Sequence, residues 1–268
     1  MLLSSDWRRT VKDVIRIAQL KIVPAKGELQ ANHEQLMSAL RQVEQDPVDV
    51  VVTPECFLDG YVSTEEEVTR ENIDQYAVDP ENSPLVASVS QWAKRQQAWV
   101  ILGCTRRAPA GVYNTALIFD RQGALKGMYD KIHCRSTHDS KYLPGQRLTV
   151  FDSDFGLFGV MICADRRWPE TVRSLALQGA RVIFNPTYGM YGERNLWLMR
   201  TRSYESEIFI AFTHPLEALL TGPTGDIVVD EVREQVAFCA HQIDLSEVDR
   251  IRAGGSHLRD RVPERYTL

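Results

Sequence analysis

Short apolar runs alternate along this chain with segments whose apolar residues recur at the spacing of an amphipathic helix. Strand-like runs occupy residues 14–22, 48–53, 99–104, 115–119, 157–163, 181–184, 208–212 and 236–243. Helical patterns lie between several of them, at residues 32–43, from Ser83-Pro84 onward, and at residues 169–178 and 195–206. This alternation predicts an α/β fold, because each helix can cover the sheet that the strands around it form.

The organisation of the chain predicts a single domain over residues 1–268. No segment repeats at a fixed period, and no low-complexity linker divides the sequence. A chain of this length can bury one large core. Apolar residues make up 44% of the chain and charged residues 25%, which is typical of an ordinary globular protein and not of a disordered one.

Charge, hydropathy and cysteine usage exclude several classes of partner. The formal net charge is −5 and no run of basic residues occurs, so we do not expect a nucleic acid to bind. No apolar stretch approaches the roughly 20 residues that cross a bilayer, and residues 1–9 are too few and too charged for a secretory signal. The five cysteines show no zinc-ligand or disulfide spacing, so we expect no metal and a reducing, cytoplasmic setting.

The stretch from Gly159 to Glu170 indicates chemistry most directly. An apolar run ends at Cys163, a short polar turn follows, and Pro169 is well placed to open a helix. Near a helix N-terminus, backbone N–H groups favour the thiolate, which is the nucleophilic form of cysteine. The alternative is that Cys163 only packs in the core, as many free cysteines do.

Two further polar residues each follow a strand-like run. Glu55 comes after Val50-Val51-Val52-Thr53-Pro54, and a strand does not easily continue through Pro54. Lys131 comes after the run at residues 115–119 and a turn at Gln122-Gly123. Because open α/β sheets bind ligands beyond the carboxyl ends of their strands, Glu55, Lys131 and Cys163 can converge there.

In this order and context, the three residues resemble the Glu-Lys-Cys triad of the nitrilase, or carbon–nitrogen hydrolase, superfamily. The resemblance covers nearly the whole chain. It is carried by IRIAQL at 15–20, Asn32, PECFLDGY at 54–61, YNTA at 113–116, KIH at 131–133, YLPG at 142–145, the cysteine segment, NPT at 185–187 and RSYE at 202–205.

The resemblance implies a fold and an assembly. The implied fold is a four-layer α-β-β-α sandwich with two sheets packed face to face. The arginine-rich tail at residues 251–268 is predicted to be irregular and, by the resemblance, to contact a neighbouring subunit. We therefore expect a homodimer or a larger homo-oligomer, without a cofactor.

The same resemblance assigns Glu55, Lys131 and Cys163 to the hydrolysis of a small-molecule amide. Cys163 is the expected nucleophile. Glu55 is expected to take the thiol proton, return it to the leaving nitrogen and activate the water that resolves the acyl-enzyme. The ammonium of Lys131 and the backbone N–H of Ala164 are expected to stabilise the oxyanion.

One position departs from the superfamily pattern. Many relatives carry a second glutamate a few residues before the Pro-Gly at 144–145, but this chain has His138 followed by Asp139. Either residue can replace the missing glutamate. His133 is interpreted as a supporting residue, and Tyr61 either lines the pocket or packs in the core.

The turn after the nucleophile bears on the substrate. Its sequence CADRRWPE at 163–170 is similar to that of N-carbamoyl-D-amino-acid amidohydrolases, in which the arginines hold the substrate carboxylate. Arg166 and Arg167 are therefore candidates for a carboxylate clamp, or one of them forms a salt bridge with Asp165 or Glu170. The match departs at Ala164, where that group has asparagine, and in a shorter loop around residues 136–142.

The sequence leaves several functions open. An N-carbamoyl amino acid is the first candidate substrate, and a dicarboxylate monoamide, as in ω-amidases, is the second. A nitrile is disfavoured, because nitrilases usually show Cys-Trp-Glu where this chain has Cys-Ala-Asp at 163–165. A catalytically silent binding subunit and a redox-sensing thiol are the alternatives from other classes.

Overall fold

The computed structural model describes residues 11–134, 136–232 and 236–266. Residues 1–9, on which the prediction about a secretory signal depends, lie outside them. In chain order the helices and strands are β1 (Val14–Leu20), α1 (Leu29–Val43), β2 (Val50–Val52), α2 (Pro84–Gln96), β3 (Trp99–Ala108), β4 (Gly111–Phe119), β5 (Leu125–Asp130), β6 (Val150–Ser153), β7 (Gly156–Val160), α3 (Pro169–Leu177), β8 (Val182–Pro186), α4 (Glu193–Ser206), β9 (Phe209–His214), β10 (Glu217–Thr221), β11 (Ile227–Val232), β12 (Phe238–Asp244) and α5 (Ser246–Gly254).

The strands form two six-stranded mixed sheets. The first has the order β12-β1-β2-β3-β4-β5 and the second the order β11-β10-β9-β8-β7-β6. In the first sheet β1, β2 and β3 are parallel, and in the second β7, β8 and β9 are parallel. Each parallel set lies at the centre of its sheet, where both faces are buried, as parallel strands require.

The two sheets pack face to face, with a helical layer outside each. The core between the sheets contains side chains from both, including Val52, Ile101, Phe158 and Phe184. Helices α1 and α2 cover the outer face of the first sheet, and α3 and α4 cover that of the second. The predicted four-layer α-β-β-α sandwich is therefore confirmed.

The centre of the interface between the sheets carries one buried amide. The Nε2 of Gln19, on β1, donates to the backbone oxygen of Phe212, on β9, at 2.6 Å and to the Oγ1 of Thr213 at 3.2 Å. These bonds satisfy a polar group that would otherwise be buried at a cost. They also tie the two parallel sets of strands together near their carboxyl ends.

The eight predicted strands and four predicted helices are confirmed, with bounds that differ by a few residues. Four strands were not predicted. β5, β6 and β11 lie at or near the outer edges of the sheets, where partial exposure mixes polar and apolar residues. β10 is buried, but its sequence EALLT consists mostly of residues that favour helices.

The prediction that residues from 251 onward are irregular is wrong for the first four of them. They complete α5, in which Val248 packs into the core between the sheets. Ser256 is also buried and donates to the carboxylate of Glu207. None of the helices that the structure describes is both long and apolar enough to cross a membrane.

Candidate active site

Lys131 lies between two carboxylates at the carboxyl ends of the central strands. Its Nζ is 2.9 Å from the Oε1 of Glu55 and 2.8 Å from the Oδ2 of Asp139. All three residues are buried. Burial disfavours the charged ammonium, but the carboxylates of Glu55 and Asp139 outweigh it and hold the pKa of Lys131 well above its usual value.

Glu55 is held by both sheets. The Nδ2 of Asn114, on β4, donates to its Oε1 at 2.8 Å, and the backbone N–H of Tyr188, after β8, donates to its Oε2 at 3.1 Å. Gly103, on β3, allows the segment that carries Glu55 to pack closely against this strand, because a Cβ at residue 103 would lie 2.3 Å from the backbone oxygen of Pro54. These contacts leave the carboxylate one fixed orientation.

Asp139, and not His138, occupies the position facing Lys131. The Oδ1 of Asp139 accepts from the hydroxyl of Tyr61 at 2.8 Å, and its Oδ2 accepts from Ser136 at 2.9 Å. The side chain of His138 is exposed. Asp139 is thus the carboxylate on the far side of Lys131 from Glu55, and the hydroxyl of Tyr61 donates to it.

Cys163 opens a tight 3₁₀ turn at residues 163–167, three residues after β7 ends. Its φ of +44° is unusual for a residue with a Cβ, and its side chain is 8% exposed. A Cβ on Gly189 would lie 3.2 Å from its Sγ, so the Gly189 backbone packs against that sulfur. The backbone of the loop that follows β8 therefore encloses the nucleophile candidate.

The resting form of Cys163 differs from the expected one. Burial and the charge of Glu55 raise the pKa of the thiol, although Lys131, Arg166 and the Gly189 N–H act in the opposite direction. The turn does not produce a free thiolate, because desolvation outweighs the nearby donors. The thiol must lose its proton during attack, and Glu55 is the adjacent carboxylate.

Asp165 joins the Cys163 turn to the Lys131 segment. One of its oxygens accepts from the hydroxyl of Tyr129 at 2.8 Å and from the backbone N–H of Ile162 at 2.9 Å. The other accepts from the backbone N–H of His133 at 3.2 Å and faces the His133 Nδ1 at 2.6 Å. The His133 ring also stacks on Trp168, with centroids 3.9 Å apart. These contacts connect His133 to the turn.

Replacing Asp165 with asparagine tests this connection. We expect the free energy of unfolding to fall by about 1–3 kcal/mol, because an amide NH₂ would face donors that the carboxylate now satisfies. Urea unfolding of D165N measures it. E66Q, which makes the same carboxylate-to-amide change at an exposed glutamate, is the control. Equal stability of D165N and the wild type would show that the four contacts do not hold the turn.

Arg166 is committed to the same turn. Its buried guanidinium donates to the backbone oxygens of Cys163 and Met190 and, at 2.8 Å, to the Oδ1 of Asn195. The expectation that Arg166 clamps a substrate carboxylate conflicts with these bonds, and the alternative pairing with Asp165 or Glu170 is also not observed. Arg167, by contrast, has an exposed side chain.

Sequence reasoning assigned no role to several residues that shape the site. Asn114 binds the carboxylate of Glu55, Asp165 connects His133 and Tyr129 to the Cys163 turn, and the Gly189 backbone packs against the sulfur. Arg202 donates to the backbone oxygens of Arg166 and Arg167 at 3.0 and 2.9 Å, which explains the RSYE motif. A polar residue inside an apolar strand is the signal that could have identified Asn114. The other roles depend on contacts between distant segments.

Gly145 explains the Pro-Gly motif next to the lysine. A Cβ at this position would lie 2.1 Å from the backbone oxygen of Asp130, and the Gly145 N–H donates to the backbone oxygen of Lys131 at 2.8 Å.

Ala164 follows Cys163 in the turn and is half-buried. Within the described parts of the chain, no group of three or more His, Cys, Asp or Glu side chains is arranged to hold a metal ion.

Comparison with known proteins identifies this arrangement. The sequence profile of the family described as carbon-nitrogen hydrolase matches residues 14–253. The chain belongs to this family. It is accordingly a carbon–nitrogen hydrolase, and its two sheets and helical layers are those of the nitrilase superfamily.

Individual relatives differ in what they are named for. An N-carbamoylputrescine amidase of Arabidopsis thaliana is 26% identical over 85% of this chain and 86% of its own length. A chloroplastic omega-amidase of the same plant is 26% identical over 95% of this chain and 73% of its own length. The solved carbon-nitrogen hydrolase of Helicobacter pylori G27 matches the fold with a TM-score of 0.83 at 20% identity, over 94% of this chain and 97% of that one.

Proposed function

We propose that this carbon–nitrogen hydrolase cleaves small linear amides through a thioester on Cys163, with Glu55 as the proton carrier and Lys131 as the oxyanion stabiliser. The observation that carries the proposal is the buried Glu55–Lys131–Asp139 row beside an enclosed thiol. Two of the three N–H bonds of the Lys131 ammonium are directed at the two carboxylates. The third is available to a substrate oxygen.

The proposed reaction has two halves. In the first, Glu55 takes the proton from Cys163 while the sulfur attacks the carbonyl carbon, and Lys131 with the Ala164 N–H stabilises the oxyanion. The C–N bond then breaks, and the proton passes from Glu55 to the nitrogen, which leaves as ammonia or an amine. In the second half, Glu55 takes a proton from water, hydroxide attacks the thioester, the C–S bond breaks, and the sulfur regains its proton.

We propose an N-carbamoyl amino acid as the substrate. Ammonia leaves in the first half of the reaction, and hydrolysis of the resulting thiocarbamate on Cys163 releases an N-carboxy amino acid. This carbamic acid then loses carbon dioxide and gives the free amino acid. The turn sequence at 163–170 supports this proposal. Since the guanidinium of Arg166 is already bonded within the protein, the carboxylate contact is assigned to Arg167. A dicarboxylate monoamide is the second candidate, favoured by the similarity to an omega-amidase. Both substrates carry a carboxylate.

Replacing Arg167 with alanine tests the carboxylate contact. We expect KM for carboxylate-bearing amides to rise about 10- to 100-fold, as loss of a charged hydrogen bond would produce, while KM for an uncharged amide stays constant. Ammonia release is measured across carbamoyl amino acids, ω-amides and nitriles. R95A, which changes an exposed arginine on α2, is the control. An unchanged KM for every acid would end the clamp proposal.

We further propose that the 268 residues form one domain, and that the chain acts in the cytoplasm as a homodimer or larger homo-oligomer. The support is the family resemblance and the exposure of most of residues 257–266, which follow the buried Ser256. Sedimentation velocity of the full chain and of a chain ending at residue 256 measures the contribution of this tail. A monomer at micromolar concentration would contradict the proposal.

A further inference from the structure

One loop contacts both the base and the nucleophile candidates through its backbone. It comprises residues 188–192, directly after β8, and is called here the 188–192 loop. The N–H of Tyr188 donates to Glu55, and the backbone of Gly189 packs against the Sγ of Cys163, where its N–H acts to lower the pKa of the thiol. Any displacement of the loop therefore changes two groups of the proposed mechanism together.

Three side chains hold the rest of this backbone. The Nε2 of His214 bonds the Tyr188 oxygen at 2.9 Å, and the Nη2 of Arg166 donates to the Met190 oxygen at 2.6 Å. The Oε2 of Glu217 accepts from the N–H of Gly192 at 2.9 Å. Glu217 is fully buried, and its Oε1 has no hydrogen-bond partner among the described residues.

The fold delivers Glu217 to this position through a tight hairpin. β9 and β10 pair antiparallel, with Glu217 directly opposite His214. Two of the three anchors of the loop therefore come from one rigid turn of the second sheet. Gly192 is also the residue before α4, so the carboxylate lies at the positive end of that helix. Burying a carboxylate costs free energy unless hydrogen bonds or opposite charges compensate its charge.

We propose that Glu217 is a positioning residue whose carboxylate fixes Gly192 and thereby holds the 188–192 loop against Glu55 and Cys163. This inference deepens the proposed function and rests on it for the roles of those two residues. Glu217 itself touches neither the sulfur nor Glu55. Its effect passes through two backbone N–H groups.

The protonation of Glu217 gives this role a measurable signature. Burial raises its pKa to about 7, against the Gly192 bond, and among nearby charges Asp230 on β11 raises it while Arg166 and Lys21 lower it. His214, opposite on β9, is held neutral because burial lowers its pKa to about 4. Acidification through neutrality therefore weakens the acceptor for Gly192, since a neutral carboxyl accepts less strongly than a carboxylate.

The test compares E217A and E217Q with the wild type. The first measurement is the pH dependence of Cys163 alkylation by iodoacetamide, located by peptide mass spectrometry. For E217A we expect alkylation about 10-fold slower at pH 8, because displacement of the loop moves the Gly189 N–H, which acts to lower the pKa of the Cys163 thiol, away from the sulfur. E217Q keeps an acceptor oxygen, so we expect its alkylation rate to remain within about 2-fold of the wild-type rate. Because glutamine does not titrate, any change in the rate that the wild type shows near pH 7 should be absent.

The second measurement separates kcat from KM in amide hydrolysis. For E217A we expect kcat to fall about 10- to 100-fold with KM unchanged, because small displacements of reacting groups lower the rate of the chemical step. The matched control is E207A. Glu207 is also buried and also accepts a backbone N–H, that of His257 at 2.6 Å, but it lies at the opposite end of α4. E207A should alter stability without altering Cys163 alkylation.

Several outcomes would overturn the inference. One is a folded E217A with unchanged alkylation and kcat, and another is a rise in KM alone, which would make Glu217 a substrate ligand. If E217A does not fold, E217Q decides, because retention of the wild-type pH dependence between pH 6 and 8 contradicts the inference. If no amide is hydrolysed but E217A still slows alkylation, the loop inference stands and the proposed function fails.

Discussion

Replacing Cys163 with alanine is expected to lower kcat for amide hydrolysis by about 10⁴-fold or more, the scale seen when a covalent nucleophile is removed. The wild type should form a transient adduct on Cys163 with its substrate, visible as an added acyl mass in the intact protein. C163A should form none. The fold should persist, because the side chain removed is small and only its sulfur faces the site.

The matched control is C239A. Cys239, on β12, has the same 8% exposure as Cys163 but lies on the outer strand of the other sheet. C239A should keep kcat within about 2-fold of the wild type, since it changes nothing at the site. Full activity in C163A, or an adduct on another cysteine in the wild type, would refute the nucleophile assignment and revive the alternatives of a silent subunit or a redox thiol.

Replacing Lys131 with methionine is expected to damage both activity and stability. Glu55 and Asp139 would then be buried without their common cation, and breaking a buried pair in this way costs about 3–5 kcal/mol. Loss of the oxyanion donor should lower kcat about 10²- to 10³-fold. Urea unfolding and steady-state kinetics measure the two effects, and K126M, at an exposed lysine on β5, is the control.

The pH dependence of this loss has a defined sign. The pKa of Lys131 is raised in the folded state, so its stabilising charge is fully present below the ordinary lysine pKa and is lost only as pH rises through the higher folded value. At pH 8 K131M therefore loses the whole contribution.

A double variant sharpens the test. Asp139→Asn should destabilise the wild type, because Asp139 accepts from Lys131, Tyr61 and Ser136. In the K131M background the same change should recover stability, because it removes one of two uncompensated charges. A destabilisation of equal size in both backgrounds would show that the row of three charges does not act as a unit.

Much of the site could be predicted from sequence, but not its electrostatic state. The strand end before Glu55 was visible as an apolar run, and Pro169 marked the start of α3, whereas β5, the strand that ends directly before Lys131, was not predicted. The expectation of a resting thiolate at Cys163 was wrong, because burial of the sulfur and the charge of Glu55 come from segments about a hundred residues apart. Such pKa shifts depend on desolvation, which the local sequence does not show.

Arg166 illustrates the same limit. Its place in the turn suggested a substrate contact, yet its guanidinium is enclosed by Met190 and Asn195 of the following strand–helix unit. Asp139 illustrates the opposite case. The sequence left His138 and Asp139 equivalent, and only the short 3₁₀ turn at residues 139–141 directs one inward and the other to solvent.

The sequence by itself determined the alternating order of strands and helices, the family, and the three residue types that perform the proposed chemistry. These properties reside in local patterns and motifs, which a linear chain displays. The tertiary structure decided which donors and charges surround each group. Glu55 and Lys131 belong to one sheet, whereas Cys163 and the 188–192 loop belong to the other. Their meeting depends on face-to-face packing of the two sheets, because burial and hydrogen bonding there arise only from long-range contacts.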